Sequence, residues 1–254
     1  MSPPPASHEV LLIPRTFASP THEDQVVESY KSLRLHGLKA DPGSFSSTYE
    51  RESRFPHELW KSRILNPSGK TFVAAVDSDE SSNKHSEIPV SIQSDDSHDT
   101  IEKLLKREWV GIVTLLGPCV FRKSDDTAAS PAKPWQVYIQ NGEYQIHAAA
   151  SATEDLSGTH LVYLIVGMFV LPQARRKGHA RRLLDAAAEA SQREAKARGA
   201  SKATITVEVQ SSNVNGKRLY EGVGYHVEED GIAMKNQNGE TTYLISLARD
   251  LELL

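Results

Sequence analysis

Cysteine is nearly absent from this chain: Cys119 is the one cysteine in 254 residues. A single thiol excludes an intrachain disulfide and a cysteine-based zinc site, and it fits a reducing compartment. Long apolar runs are missing too. The longest, Leu161–Leu171, is strand-sized and well short of the roughly 20 residues that span a bilayer, so no membrane partner is expected. Met1–His8 is proline-rich and lacks the basic-then-apolar order of a signal peptide. The Asn-x-Ser/Thr match at Asn66-Pro67-Ser68 is disqualified by its proline. Positive charge is not in excess: 29 Lys and Arg face 33 Asp and Glu, a net charge of −4. That balance gives no general attraction to nucleic acid or anionic lipid. A cytoplasmic location is expected, with the nucleus also open. Hydrophobic residues make up 39%, below the ~45–50% of ordinary globular chains, so part of the chain is expected not to pack.

What is present reads as one domain over residues 1–254, carrying two polar insertions at about 77–105 and 122–134. Both are too poor in large apolar residues to offset their ordering entropy. Val10–Ile13 and Thr71–Val76 have strand character. Between them, Ser19-Pro20-Thr21 signals a helix start and Gly37 its end, and Pro56 opens a second helix. Trp109–Leu116 reads as a strand. Gln136–Ile139 and Tyr144–His147 flank the hairpin signal Asn141-Gly142. Leu161–Val170 is the most apolar strand and the expected centre of a sheet. Ala180, Leu183, Leu184, Ala187, Ala188, Ser191 and Ala195 then form one helical stripe, capped by Gly199. Thr204–Val209, a short helix from Asn213 to Val223, and strands at Gly224–Val227 and Thr241–Leu247 complete a mixed α/β or α+β plan around one sheet.

The most informative segment runs from Val170 to Leu184. An apolar strand enters a short loop, and the loop opens an amphipathic helix at Gly178. The first turn of a helix carries unpaired N–H groups and partial positive charge. Gly178 and Ala180 are small enough for close approach, and Arg175, Arg176, Lys177, Arg181 and Arg182 add positive charge. These parts suit a pyrophosphate. The nucleoside-triphosphate loop is not satisfied, because Gly69-Lys70-Thr71 has Ile64 where the first glycine belongs. The dinucleotide fingerprint fails as well, since no third glycine follows Gly222-x-Gly224.

Arg175-x-x-Gly178-x-Ala180 resembles the Arg/Gln-x-x-Gly-x-Gly/Ala signature of the GNAT superfamily of N-acetyltransferases. Asn213-x-x-Gly216-x-x-Leu219-Tyr220-x-x-x-Gly224-Tyr225 resembles that family's second motif, with Gly216 departing from the usual alanine. The resemblance is good over Leu161–Tyr225. It implies a mostly antiparallel central sheet flanked by helices, acetyl-CoA as cofactor without a metal, and transfer of acetyl to a small-molecule or peptide amine. It also implies roles. Backbone of Met168, Phe169 and Val170 would bond the pantetheine arm and the acetyl carbonyl. Backbone from Arg176 through Lys177, Gly178, His179 and Ala180 to Arg181 would hold the pyrophosphate, with Arg175 opening the signature. Asn213 would bond the pantetheine arm, and Tyr220 would be the general acid and contact the cofactor. Ser32–Ile64 resembles the acceptor-side helices, which places Phe45, Tyr49 and Glu52 toward the substrate; Trp135 is a further candidate to touch it. Some members dimerise through their last strands, a role open to Thr241–Leu247.

A free amine has a pKa of about 10 and needs a base to take its proton. Glu208, His147, His160 and Glu52 are the candidates, with Glu208 on the strand after the helix. Two readings compete with catalysis: a CoA-binding regulatory module on the same fold, and nucleic-acid binding by the basic run.

Overall fold

A computed structural model describes residues 8–77, 97–121, 133–140, 143–144, 154–235 and 239–253. Strand β1 (His8–Leu12) leads to helix α1 (Pro20–Ala40), then a short helix α2 (Tyr49–Glu52) and helix α3 (His57–Ile64). Next come β2 (Gly69–Val76), helix α4 (Ser97–Lys106), β3 (Glu108–Phe121) and the small pair β4 (Ile139–Gln140) and β5 (Glu143–Tyr144). The C-terminal half is β6 (His160–Val170), α5 (His179–Ala197), β7 (Lys202–Gln210), α6 (Val214–Glu221), β8 (His226–Lys235) and β9 (Thr241–Asp250). Seven strands form one sheet in the order β1-β2-β3-β6-β7-β9-β8. Every pairing in it is antiparallel except β6 with β7. That parallel pair needs a crossover, and α5 supplies it.

The apolar strand of the sequence, β6, is the middle strand of the seven. Leu161, Tyr163 and Ile165 join the main core with Leu183, Leu184 and Ala187 of α5. The alternate residues Val162 and Leu164 pack against Val137 and Tyr138. Of the expected stripe of α5, the members from Leu183 to Ala195 are buried and Ala180 is partly so, and Ser191 satisfies its hydroxyl by donating to Ala187 O at 2.9 Å. Gly199, with φ 69°, follows the helix. Cys119 is partly buried on β3 against the Val137–Tyr138 cluster, and burial pushes its thiol up to about 11.

Four expectations change. Gly37 does not end α1, which continues to Ala40. A Cβ at Gly37 would meet the Phe169 ring at 3.0 Å, so the glycine serves close helix–sheet contact. The first insertion is shorter than its composition suggests, because 97–106 is helix α4, with Ile101 and Leu104 buried. Ile101, Leu104 and Leu105 recur at helical spacing, a signal hidden by polar neighbours. Pro134–Val137 is a 3₁₀ turn rather than strand, and among the described residues Ile139↔Tyr144 and Gln140↔Glu143 pair in the expected hairpin. Asn141-Gly142, 78–96, 122–132 and 145–153 lie outside the described residues. Finally, Thr241–Leu247 belongs to an interior strand. β9 is bonded to β8 on one side and, from Leu244 on, to β7 on the other, so most of it is not an edge strand.

Leu104 tests whether α4 is a packed part of the domain. Leu104→Ala is expected to lower stability by about 2–4 kcal/mol in urea unfolding. A loss within ~0.5 kcal/mol would mean that α4 does not hold a core position.

Candidate active site

The parallel ladder between β6 and β7 runs from His160↔Lys202 to Ile165↔Val207 and stops. Both strands continue, β6 to Val170 and β7 to Gln210. The register of β6 against β3 slips between Val166 and Phe169, and Gly167 takes φ 65° there. A bulge of this kind bends a strand. Beyond Ile165↔Val207 the two strands share no ladder, which leaves a gap between their ends.

The gap is lined on one side by main chain. Leu171 N–H donates to Val110 O at 2.9 Å, and Val170 faces Gly111. Antiparallel pairs alternate between bonded and non-bonded. The peptide groups of Val170 therefore point away from β3, into the gap. Its carbonyl accepts from Arg175 Nε at 3.0 Å; its N–H is left to face whatever occupies the gap. Met168, half-buried, and Phe169, buried, complete this arm.

The loop from β6 to α5 heads the gap. Gly178 is the N-cap of α5 at φ 82°, with no side-chain cap, and Arg176 also has a left-handed φ of 64°. A non-glycine residue in that region stores strain, which proteins concentrate at functional sites. Successive left-handed turns aim N–H groups at a common point, and the helix dipole adds to them. Arg176, Lys177 and Arg182 are exposed around it. Two of the expected contacts take a different form. The His179 side chain is buried and turned inward, its ring edge-on to His8 at 4.7 Å, so only its main chain is available. Burial lowers the pKa of both rings, and Lys177 and Arg182 lower them further. Arg181 donates to Gly222 O at 2.7 Å, stapling α5 to the end of α6.

Glu208 is the first residue of β7 beyond the last pair with β6. Thr206 donates to its Oε1 at 3.0 Å, and Oε2 is buried without a partner among the described residues. Burial pushes the carboxyl up to about 8; the Thr206 hydrogen bond opposes this and the nearby Glu228 adds to it. Tyr220 is buried on α6, edge-on to Tyr225 at 5.4 Å. Its pKa is raised by burial first, then by Tyr225 and Glu208. The charge of Glu208 also raises Tyr138, so the carboxylate is within electrostatic reach of both phenols. Asn213 caps α6, its Oδ1 accepting from Gly216 N at 2.8 Å. That short bond explains the departure from alanine, since a Cβ at Gly216 would meet Asn213 Nδ2 at 2.8 Å.

Two of the other candidate bases, His160 and Glu52, are engaged elsewhere. His160 begins β6 where the two strands are still paired; its Nε2 lies 2.9 Å from Thr204 Oγ1, and burial lowers its pKa to about 4. His147 lies outside the described residues. Glu52 is neither base nor acceptor contact. It is 1% exposed and clamped by Arg34, at 3.0 and 2.9 Å, and by Arg63 at 2.9 Å. Burial would raise its pKa, but the two guanidiniums outweigh burial and hold it at about 2. Two cations brought together from α1 and α3 are a tertiary fact that spacing alone does not reveal. Phe45 lies beside the end of β6, its ring 6.3 Å from that of Phe169. Tyr49 lies under Lys39, 4.0 Å from its Nζ, and Trp135 packs on Ile139, Ile232, Met234 and Leu244. Neither contact brings the residue to the β6–β7 gap.

With this geometry in place, comparison with known proteins gives a family match over part of the chain. Residues 134–227 match the acetyltransferase (GNAT) domain family. No curated protein sequence matches the chain. Among solved structures, the chain is similar to NAA60 of Arabidopsis thaliana in complex with a bisubstrate analogue, at 13% identity over 96% of this chain and 99% of that one, TM-score 0.47. It is also similar to the ribosomal-protein-S18-alanine N-acetyltransferase of Escherichia coli, at 10% identity over 98% and 96%, TM-score 0.44. The matched segment spans both motifs that carry the resemblance, Arg175–Ala180 and Asn213–Tyr225.

The clamp on Glu52 has a pH signature. Its folded pKa lies below the ordinary 4.5, so its contribution is present above pH 4.5 and is lost as pH falls toward 2. Glu52→Gln is expected to cost about 3–5 kcal/mol at pH 7, where it leaves two guanidiniums partly buried beside a neutral amide. The gap to the unmodified chain should close as unfolding is measured at lower pH. A pH-independent difference would mean that the carboxylate is not held by charge.

Proposed function

We propose that the chain is an acetyl-CoA-dependent N-acetyltransferase that acts on an amine of a small molecule or peptide, with Glu208 as general base and Tyr220 as general acid. The observation that carries this reading is the unpaired gap between β6 and β7, with α5 at its head and the unpartnered oxygen of Glu208 at its apex. The residues present fit the cofactor. Unpaired peptide groups on β6 complement an amide-bearing arm, and the uncapped N-terminus of α5 with its exposed cations complements a diphosphate. Acetyl-CoA, when bound, supplies an acetyl thioester, and Met168 to Val170 with Asn213 would hold its arm.

The chain's own groups then divide the proton work. The Val170 N–H is placed to donate to a carbonyl oxygen that gains negative charge. An amine arrives largely protonated, and a carboxylate with a pKa of about 8 is poised to take a proton near neutrality. Tyr220 keeps its proton across this range, since its pKa is raised. It can therefore hydrogen-bond the departing sulfur and return a proton to it. Phe45, beside Phe169, supports an acceptor path that enters from the α1 side.

Release of CoA thiol across a panel of amines tests the reading. With a responsive amine, kcat/KM is expected to rise with pH up to about 8 and then level. Glu208→Gln should flatten that rise and lower the rate about 10²–10⁴-fold. Tyr220→Phe should lower kcat about 10–100-fold with little change in KM. Binding of CoA without turnover of any amine would favour a regulatory module, and salt-sensitive binding of DNA or RNA with no CoA binding would favour the nucleic-acid reading.

A further inference from the structure

Between α1 and α2 the chain passes through Asp41, a 3₁₀ turn at Pro42–Ser44, and Phe45. Both arms of the gap are tied to this segment. On the β6 side, the Asp41 carboxylate pairs with Arg175 Nη2, while Arg175 Nε holds Val170 O at 3.0 Å and its Cζ lies 5.8 Å from the Phe169 ring centre. On the β7 side, Asn213 Nδ2 donates to Ser44 Oγ at 3.2 Å, while Asn213 Oδ1 caps α6. The far end of the segment is anchored in the core. Arg34 lies over the Phe45 ring at 4.5 Å and is itself fixed by Glu52.

We propose that Asp41–Phe45 is a strap across the mouth of the gap, in which Asp41 positions Arg175 and Ser44 positions Asn213, so that the segment sets the spacing at which a CoA thioester is gripped. This rests on the reading of the gap as a CoA site. The argument is geometric. β6 and β7 share no ladder beyond Ile165↔Val207, so some other contact must fix how far apart they stand. The strap bonds one residue of each arm, and through Arg175 it reaches the carbonyl of Val170, whose N–H faces the gap. Asp41 and Arg175 are both partly exposed, 35% and 41%. Their pair adds little to global stability, which leaves orientation as what it supplies. Asp41 and Ser44 are thus positioning residues, acting through Arg175 and Asn213.

The test is calorimetric titration of CoA onto the full chain and onto Asp41→Ala, Ser44→Ala, the double variant and Asp41→Glu, with thermal unfolding of each. Each single alanine is expected to raise the Kd about threefold and the double about tenfold or more, with the unfolding midpoint held. Asp41→Glu should stay within about twofold, because it restores the charge to Arg175. Unchanged affinity in the double variant overturns the strap. Tighter binding by Asp41→Ala also overturns it, since Asp41 would then compete with the cofactor. A loss of affinity matched by a fall in midpoint and not rescued by glutamate overturns it as general loosening. Failure of the unmodified chain to bind CoA sinks the proposed function itself, an outcome distinct from binding that the variants leave untouched.

Discussion

Everything at the site depends on two neighbouring strands losing each other. A central strand is ordinarily bonded along both edges, because an unpaired peptide group away from water is costly. Here β6 gives up its partner after Ile165, with the bulge at Gly167 just beyond, while β3 keeps hold of its other edge. The result is a row of main-chain donors and acceptors inside the sheet, opposite the end of β7. Water or the polar groups of a ligand can satisfy such a row, and α5 begins nearby without a side-chain cap.

Two glutamates show how strongly surroundings decide chemistry. Glu52 and Glu208 are both removed from water, and both would be neutral if burial acted alone. Arg34 and Arg63 keep Glu52 ionised to about pH 2, whereas Glu208 has only the Thr206 hydroxyl for support and the charge of Glu228 against it, and rises to about 8. The first is a structural anchor, fixed in one state. The second changes state near neutrality, and this difference is why Glu208, and not Glu52, is the proposed base.

The C-terminal half was legible from the chain alone because its signals are local. Gly178 before an alanine–leucine stripe, Gly199 after it, and Asn213 seven residues ahead of Tyr220 all act within a few turns, and α5 and α6 form where those signals lie. The N-terminal half depends on distant partners. Gly37 reads as a helix stop until Phe169 is seen to need its space, and Glu52 reads as a substrate contact until Arg34 and Arg63 close on it. The parting of β6 from β7 has a weak local mark in Gly167, but nothing in Val166–Val170 says which neighbour is lost. The left-handed Arg176 was invisible, since arginine gives no signal for it. The Asp41-Pro42-Gly43 turn was available as a signal and points to a sharp change of direction after α1.

Burial of Cys119 has a practical side. With its pKa near 11, the thiol is ionised at neutral pH to only about one part in 10⁴, and the ionised form is the one that reacts. No other cysteine occurs in the sequence. Cys119 is therefore expected to react slowly with thiol-directed dyes and spin labels near neutral pH. A cysteine introduced at an exposed position would be labelled almost alone, so distances between chosen points could be followed in solution without first removing the native residue.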